Sequence, residues 1–293
     1  MNRLCQTIVS QPTMPGEPRH RRSFGRGLMT TVGSAVLFTV ICTFPVAATS
    51  SGRLLTSGAN PVPSTSPTVL ITSLDWAPYT GAALPEGGET TRLLRQVFTA
   101  MGYQVQVDFL PWSQSVALVM SGTQGHLAYY PEYPIQDPKL LQSGAIGYSE
   151  LGLVERVDNP LLLTSFLALG NYRFGVVQDY LNMSELDQLI AAKTLKPTVN
   201  RADKDNVLQV ARGELDAAVI DNRVLQYLIQ HDAEVKAVAK GKVQFSQSLR
   251  EHKSLHLVLL ANPKNRNFVR EFNQQLQRHK TQYLPKNTAG PSP

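Results

Sequence analysis

Four clusters of aromatic and acidic side chains stand where apolar runs of this chain stop. They are Asp75, Trp76 and Tyr79; Trp112; Tyr129, Tyr130, Glu132 and Tyr133; and Asp221. Aromatic walls carrying a few polar groups are what a small-molecule cleft requires. A carboxylate buried without a partner costs several kcal/mol or is forced neutral, and a ligand ammonium would supply that partner. Rings facing the same ammonium add a cation–π attraction of roughly 0.5–2 kcal/mol. Two plainer readings stand beside this one: Trp76 and Tyr79 capping the core edge, and the tyrosines of 129–133 forming a packed surface turn.

Most other chemistry is excluded by what the chain lacks. There is no Gly-x-Gly-x-x-Gly fingerprint or Walker loop for a nucleotide. There is no Gly-x-Ser-x-Gly nucleophile elbow. His252 and His256 are four apart, but His256 lies in an apparent strand, where that spacing makes no helical metal face. His126, His231 and His279 stand alone, so neither a metal nor a cofactor is expected.

The elements that must position the clusters begin after an export signal. Arg19, Arg21, Arg22 and Arg26 form a basic region, residues 28–44 are apolar, and Val46-Ala47-Ala48 offers a cleavage site. Arg21-Arg22-Ser23-Phe24 also fits a twin-arginine motif. The net charge is +6, but the leader (1–48) holds five Arg and one Glu, leaving +2 for the rest. The basic balance thus comes mostly from the leader, and a nucleic-acid partner is not expected. Cys5 and Cys42 leave with the leader, so the exported chain relies on its core rather than on disulfides. Residues 49–67, rich in Ser, Thr, Pro and Gly, read as a flexible linker, and 286–293 as a polar tail.

Between linker and tail, strands and helices alternate. The run from Val69 reads as a buried strand that Pro78 keeps from continuing. Leu93, Leu94, Val97, Phe98 and Met101 share a helical face closed by Gly102. Val105, Val107 and Phe109 alternate with polar residues as in a strand, completing a βαβ unit with a parallel pair. Ser113 can cap a helix with Val116, Val119 and Met120 on one face. An extended segment follows at 146–154. A second set comprises a strand at 174–177, a helix at 185–192, a helix capped by Asp203 and stopped by Gly213, a strand at 217–220 ending in Asp221, and a helix at 224–229. A strand at 255–260 and an amphipathic helix at 268–276 close the chain. In open α/β sheets ligands sit at the carboxyl ends of strands, which is where the rings and carboxylates stand.

The order of Asp75-Trp76-Ala77-Pro78-Tyr79-Thr80-Gly81, Gly102-Tyr103, Phe109-Leu110-Pro111-Trp112 and Gly213-Glu214-Leu215-Asp216-Ala217-Ala218-Val219-Ile220-Asp221 resembles the bacterial extracellular solute-binding proteins of family 3. These are periplasmic receptors of polar amino acid ABC importers. The resemblance spans about residues 68 to 283. It implies an α/β fold of the two-lobed type II periplasmic-binding kind: mixed sheets flanked by helices, lobe 1 from 68–160 and 248–285, lobe 2 from 161–247, and a hinge of two crossing strands. It further implies that Trp76 stacks on the ligand, that Trp112 is a second wall, that Asp221 accepts the ligand's amino group, and that Gln178 and Asp179 lie on a loop donating backbone contacts. Two departures stand out. His126 occupies a place where the family often has Asp, and no Arg follows it to grip a ligand carboxylate; Lys139 is only a point-charge substitute. Glu132 and Tyr133 crowd that region instead.

The functional expectation is therefore a monomeric periplasmic protein that captures a small polar, amino-acid- or amine-like solute. Its ligand-binding residues would be Asp75, Trp76, Tyr79, Trp112, Tyr130, Glu132, Tyr133, Gln178, Asp179 and Asp221, and its partner an inner-membrane ABC permease. The missing Arg tilts the ligand toward a cationic amine without a carboxylate. The alternatives are an enzyme on the same scaffold, dehydratase-like, and a sensory protein that binds without transport.

Overall fold

The computed structural model describes residues 66–283, with side chains through His279. The expected leader, nearly all of the linker and the polar tail lie outside these residues. Strand β1 (Thr68–Ser73) is followed by α1 (Glu89–Ala100) and β2 (Gln104–Phe109). β1 and β2 are parallel, with Thr68 opposite Gln104 and Ser73 opposite Phe109. Leu93, Leu94, Val97 and Phe98 bury the inner face of α1. Its end is set by Met101 and then Gly102, whose φ of +83° is a left-handed conformation open to glycine at little cost.

Next come α2 (Trp112–Ser121), β3 (His126–Glu132), β4 (Leu140–Gln142) and β5 (Gly147–Arg156). The following stretch contains β6 (Phe174–Val177), α3 (Ser184–Ala191), β7 (Thr198–Asn200), α4 (Asp203–Arg212) and β8 (Ala217–Asp221). The chain then runs through α5 (Asn222–His231), α6 (Ala233–Ala239), β9 (Val243–Phe245), β10 (Glu251–Leu260) and α7 (Pro263–Tyr283). The strands line up in the order β2-β1-β3-β10-β5-β8-β6-β7, with β4 on β10 and β9 on β5.

Two long strands belong to both ends of this sheet. β10 pairs with β3 and β4 through residues 256–260 and with β5 through residues 251–255. β5 pairs with β10 through residues 147–151 and with β8 through residues 151–155. These are the crossing strands between the halves. β1, β2 and β3 are mutually parallel in one half, and β6, β7 and β8 in the other. Every residue of β6 and β8 is buried, as expected for parallel strands covered on both faces.

Three sequence expectations need correction. Ser113 does not cap α2: the helix starts at Trp112, directly after Pro111, and Ser113 already sits in its first turn with no side-chain cap present. Asp203 is likewise the first residue of α4 rather than its cap, a place taken by Ala202. On α2, Met120 is 39 % exposed, while the small Ser115 is buried and donates to the Ser73 carbonyl at 2.6 Å. Close approach of α2 to β1 leaves room there for a hydroxyl but not for a long side chain.

Candidate ligand cleft

The parallel strands of both halves deliver their carboxyl ends to one edge, where two cavities adjoin. The inner one is lined by Leu74, Trp76, Trp112, Glu132, Tyr133 and Tyr180, among others. It holds about 40 Å³, room for a few waters. The outer one, about 470 Å³, is lined by Asp75 and Trp112 from the β1–β2 side and by Gln178, Asp179, Tyr180 and Arg201 from the β6–β7 side. Leu74, Trp112 and Tyr180 border both.

The rings are fixed by one another. Trp76 stacks on Tyr79 with centroids 4.6 Å apart and meets the Tyr133 ring edge-on at 6.5 Å. Trp112 packs edge-on against Tyr129 at 5.6 Å. Tyr130 is apart from this group: fully buried, its hydroxyl is 2.9 Å from that of Thr91 on α1, and it borders neither cavity.

Behind the rings lies a hydrogen-bonded chain centred on Asp221. Its Oδ1 accepts from the Val224 N–H at 2.9 Å, so the carboxylate caps α5. Its Oδ2 accepts from the Ser149 hydroxyl at 2.6 Å and from the Tyr79 hydroxyl at 3.0 Å. Ser149 has spent its single proton on Asp221, so the Tyr133 hydroxyl, 3.0 Å away, must donate to Ser149. Burial raises the pKa of both phenols well above the ordinary tyrosine range, keeping them neutral donors. Burial also raises Asp221, although Ser149, Val224 and Tyr79 counteract it.

The electrostatics are one-sided. Burial pushes the Glu132 carboxyl up to about 7, against the pull of the Tyr133 N–H and of Lys253. Asp203 is pushed up to about 7, first by burial and then by the charge of Asp221, while a hydrogen bond from Trp76 lowers it. Glu132, Asp203 and Asp221 all act on Tyr133. Lys253 lies 4.9 Å from the Tyr133 ring but donates to the Asn182 carbonyl. Arg223 lies 5.1 Å from the Tyr79 ring and is held by both oxygens of Glu89, at 2.7 and 2.8 Å. Two buried carboxylates, Asp203 and Asp221, and the partly buried Glu132 thus stand near cations already committed elsewhere, an environment that favours an incoming cation. Among the described residues no three His, Cys, Asp or Glu side chains could hold a metal ion.

Sequence reasoning missed Tyr180, Arg201, Asp203 and Lys253. Lys139, considered as a substitute for a carboxylate-binding Arg, is exposed in the turn before β4 and borders neither cavity. His126 starts β3, at the opposite end from Glu132, and its Nε2 is 2.8 Å from Asp108.

About three quarters of the chain resembles solved structures of one kind. A histidine kinase sensor domain similar to periplasmic binding proteins aligns with a TM-score of 0.61 at 15% identity, covering 73% of this chain and 90% of that one. A mutant arginine-binding protein from T. maritima aligns at 0.58 with 13% identity, covering 73% and 90%. The GluR0 ligand-binding core from Nostoc punctiforme, in complex with L-glutamate, aligns at 0.57 with 17% identity, covering 73% and 93%. The fold is periplasmic-binding-protein-like. Its two halves and two crossing strands are those of this class, as the resemblance implied. No protein-family model matches the sequence, and no curated protein does. Among the described residues no helix is long and apolar enough to cross a membrane.

Proposed function

We propose that the chain is an exported solute-binding protein of family 3. It captures a small polar ligand bearing a cationic amine between lobes formed by residues 68–160 with 248–285 and by 161–247. Closure about β5 and β10 brings Trp76, Trp112, Glu132 and Tyr133 against the ligand from one side and Gln178, Asp179 and Tyr180 from the other. The closed form is read by an inner-membrane ABC permease. The observation that carries this reading is the pair of adjoining cavities at the strand ends, walled by rings, with Glu132 lining the inner one and Asp75 and Asp179 the outer one. The inner cavity's small volume supports a motion that must widen it for entry.

A thermal-shift screen of the exported domain against amino acids, polyamines and polar metabolites tests this. A binder at one hundred times its dissociation constant adds about 2.7 kcal/mol of stability. No shift across the panel, with Trp76→Ala equally silent, defeats the reading. The likeness to a histidine kinase sensor domain favours one second reading, binding that signals rather than transports. Capture of a permease or of a membrane receptor by the ligand-loaded protein separates the two, and return of the ligand unchanged separates both from an enzyme.

A further inference from the structure

Arg201 follows β7, is exposed, and lines the outer cavity together with Asp75 and Trp112. Arg156, Arg173, Arg212, Arg223 and Arg250 each meet a carboxylate. Arg201 makes no such contact and no hydrogen bond among the described residues, although Asp75 and Asp179 border the same cavity. Asp75 Oδ1 is engaged instead by the Ala82 N–H at 2.7 Å. A free guanidinium offers a planar fork of donors that fits both oxygens of a carboxylate at once. The two exposed carboxylates beside it suit an ammonium. The inner cavity, by contrast, contains Glu132 and rings but no cation in its lining.

We propose that Arg201 receives the ligand's carboxylate at the cleft mouth, with Asp75 and Asp179 receiving its α-ammonium, while a cationic side chain points inward to Glu132 and the rings. The inference rests on the cleft being the binding site. It reverses the expectation, drawn from the missing Arg near Lys139, that the ligand lacks a carboxylate. It also places the carboxylate anchor on the β6–β7 side, where the resemblance implied none.

Matched pairs differing only in the carboxylate provide the test: L-arginine against agmatine, and L-lysine against cadaverine. Titration calorimetry on the wild-type protein should favour the amino acid at least tenfold. Arg201→Gln should bring each pair to parity by weakening the amino acid alone, and Arg201→Lys should restore part of the difference. Equal affinity within each wild-type pair, or equal weakening of both members by Arg201→Gln, overturns the assignment of Arg201. The cleft reading survives that outcome if Trp76→Ala still abolishes binding. If none of the four compounds binds the wild-type protein, the cation-in-cleft reading and this one fall together.

Discussion

Binding of a cationic ligand should strengthen as the pH rises from about 5.5 to about 8, because Glu132 must give up a proton to receive the charge. Burial holds its carboxyl at about 7, well above the ordinary value of 4.5. A cation seated beside it favours the ionised form. If the bound group returns to its ordinary value, affinity at about pH 5.5 is roughly 25-fold weaker than at about pH 8, close to 2 kcal/mol. The free group is protonated below about 7 and the bound group only below about 4.5. Binding therefore releases close to one proton between these values, and affinity levels off above them. Lys253 on β10, Asp203 on α4 and Asp221 on β8 share this environment with Tyr129 and Tyr133. Asp203, also held at about 7, adds a shift of the same sign where the cation reaches it.

Stability of the ligand-free protein has the opposite dependence. A carboxyl raised in the fold contributes stability that is fully present below its unfolded value and lost as pH rises through the folded one. The free protein should therefore melt lower at about pH 8 than at about pH 5.5, while the affinity moves the other way. Titration calorimetry in buffers of different ionisation enthalpy counts the released protons directly. Glu132→Gln should flatten most of the slope and leave the part due to Asp203. A wild-type affinity that is the same at both pH values, or a slope untouched by Glu132→Gln, refutes the reasoning.

Three further outcomes follow from the packing. Asp221→Ala strips an acceptor from Tyr79, Ser149 and the Val224 N–H and should cost about 3 kcal/mol in urea unfolding, whereas Asp221→Asn, which keeps an acceptor oxygen, should cost less. Arg223→Ala breaks the pair with Glu89 that joins α5 to α1; since both side chains are 49% exposed, unfolding should change by less than about 1 kcal/mol, while the radius of gyration from X-ray scattering should rise if the pair holds the halves together. Gly175→Ala drives a methyl into the Asn206 side chain and to within 2.8 Å of Leu215 Cδ1, so it should lower stability by about 1–3 kcal/mol, with no gain in packing.

Local pattern carried far in this chain, and it stopped where tertiary neighbours decide. β6 and β8 were legible because parallel strands covered on both faces need uninterrupted apolar residues. β3 was not: its His, adjacent tyrosines and proline carry no clear alternation, and it is a strand because β1 and β10 flank it. Tyr129 and Tyr130 show the limit for side chains. Neighbours in a strand face opposite ways, so Tyr129 meets Trp112 near α2 while Tyr130 meets Thr91 on α1. A rule that rings gather at strand ends cannot choose between them without the partner elements. Asp203 and Arg201 mark the same boundary. An Asp opening an apolar helical pattern reads as a cap, and only the Trp76 indole, brought over from the end of β1, ties it to the rings of the cleft. The sequence does expose Asp221 as a strand-end carboxylate, yet the chain itself supplies it with donors from Tyr79, Ser149 and Val224. Among the described residues Glu132 receives one backbone N–H, from its neighbour Tyr133, and sits in the wall of the inner cavity. Of the two strand-end carboxylates, Glu132 at the end of β3 is therefore the one more in need of a partner, and a ligand cation gains more there than at the better-satisfied Asp221.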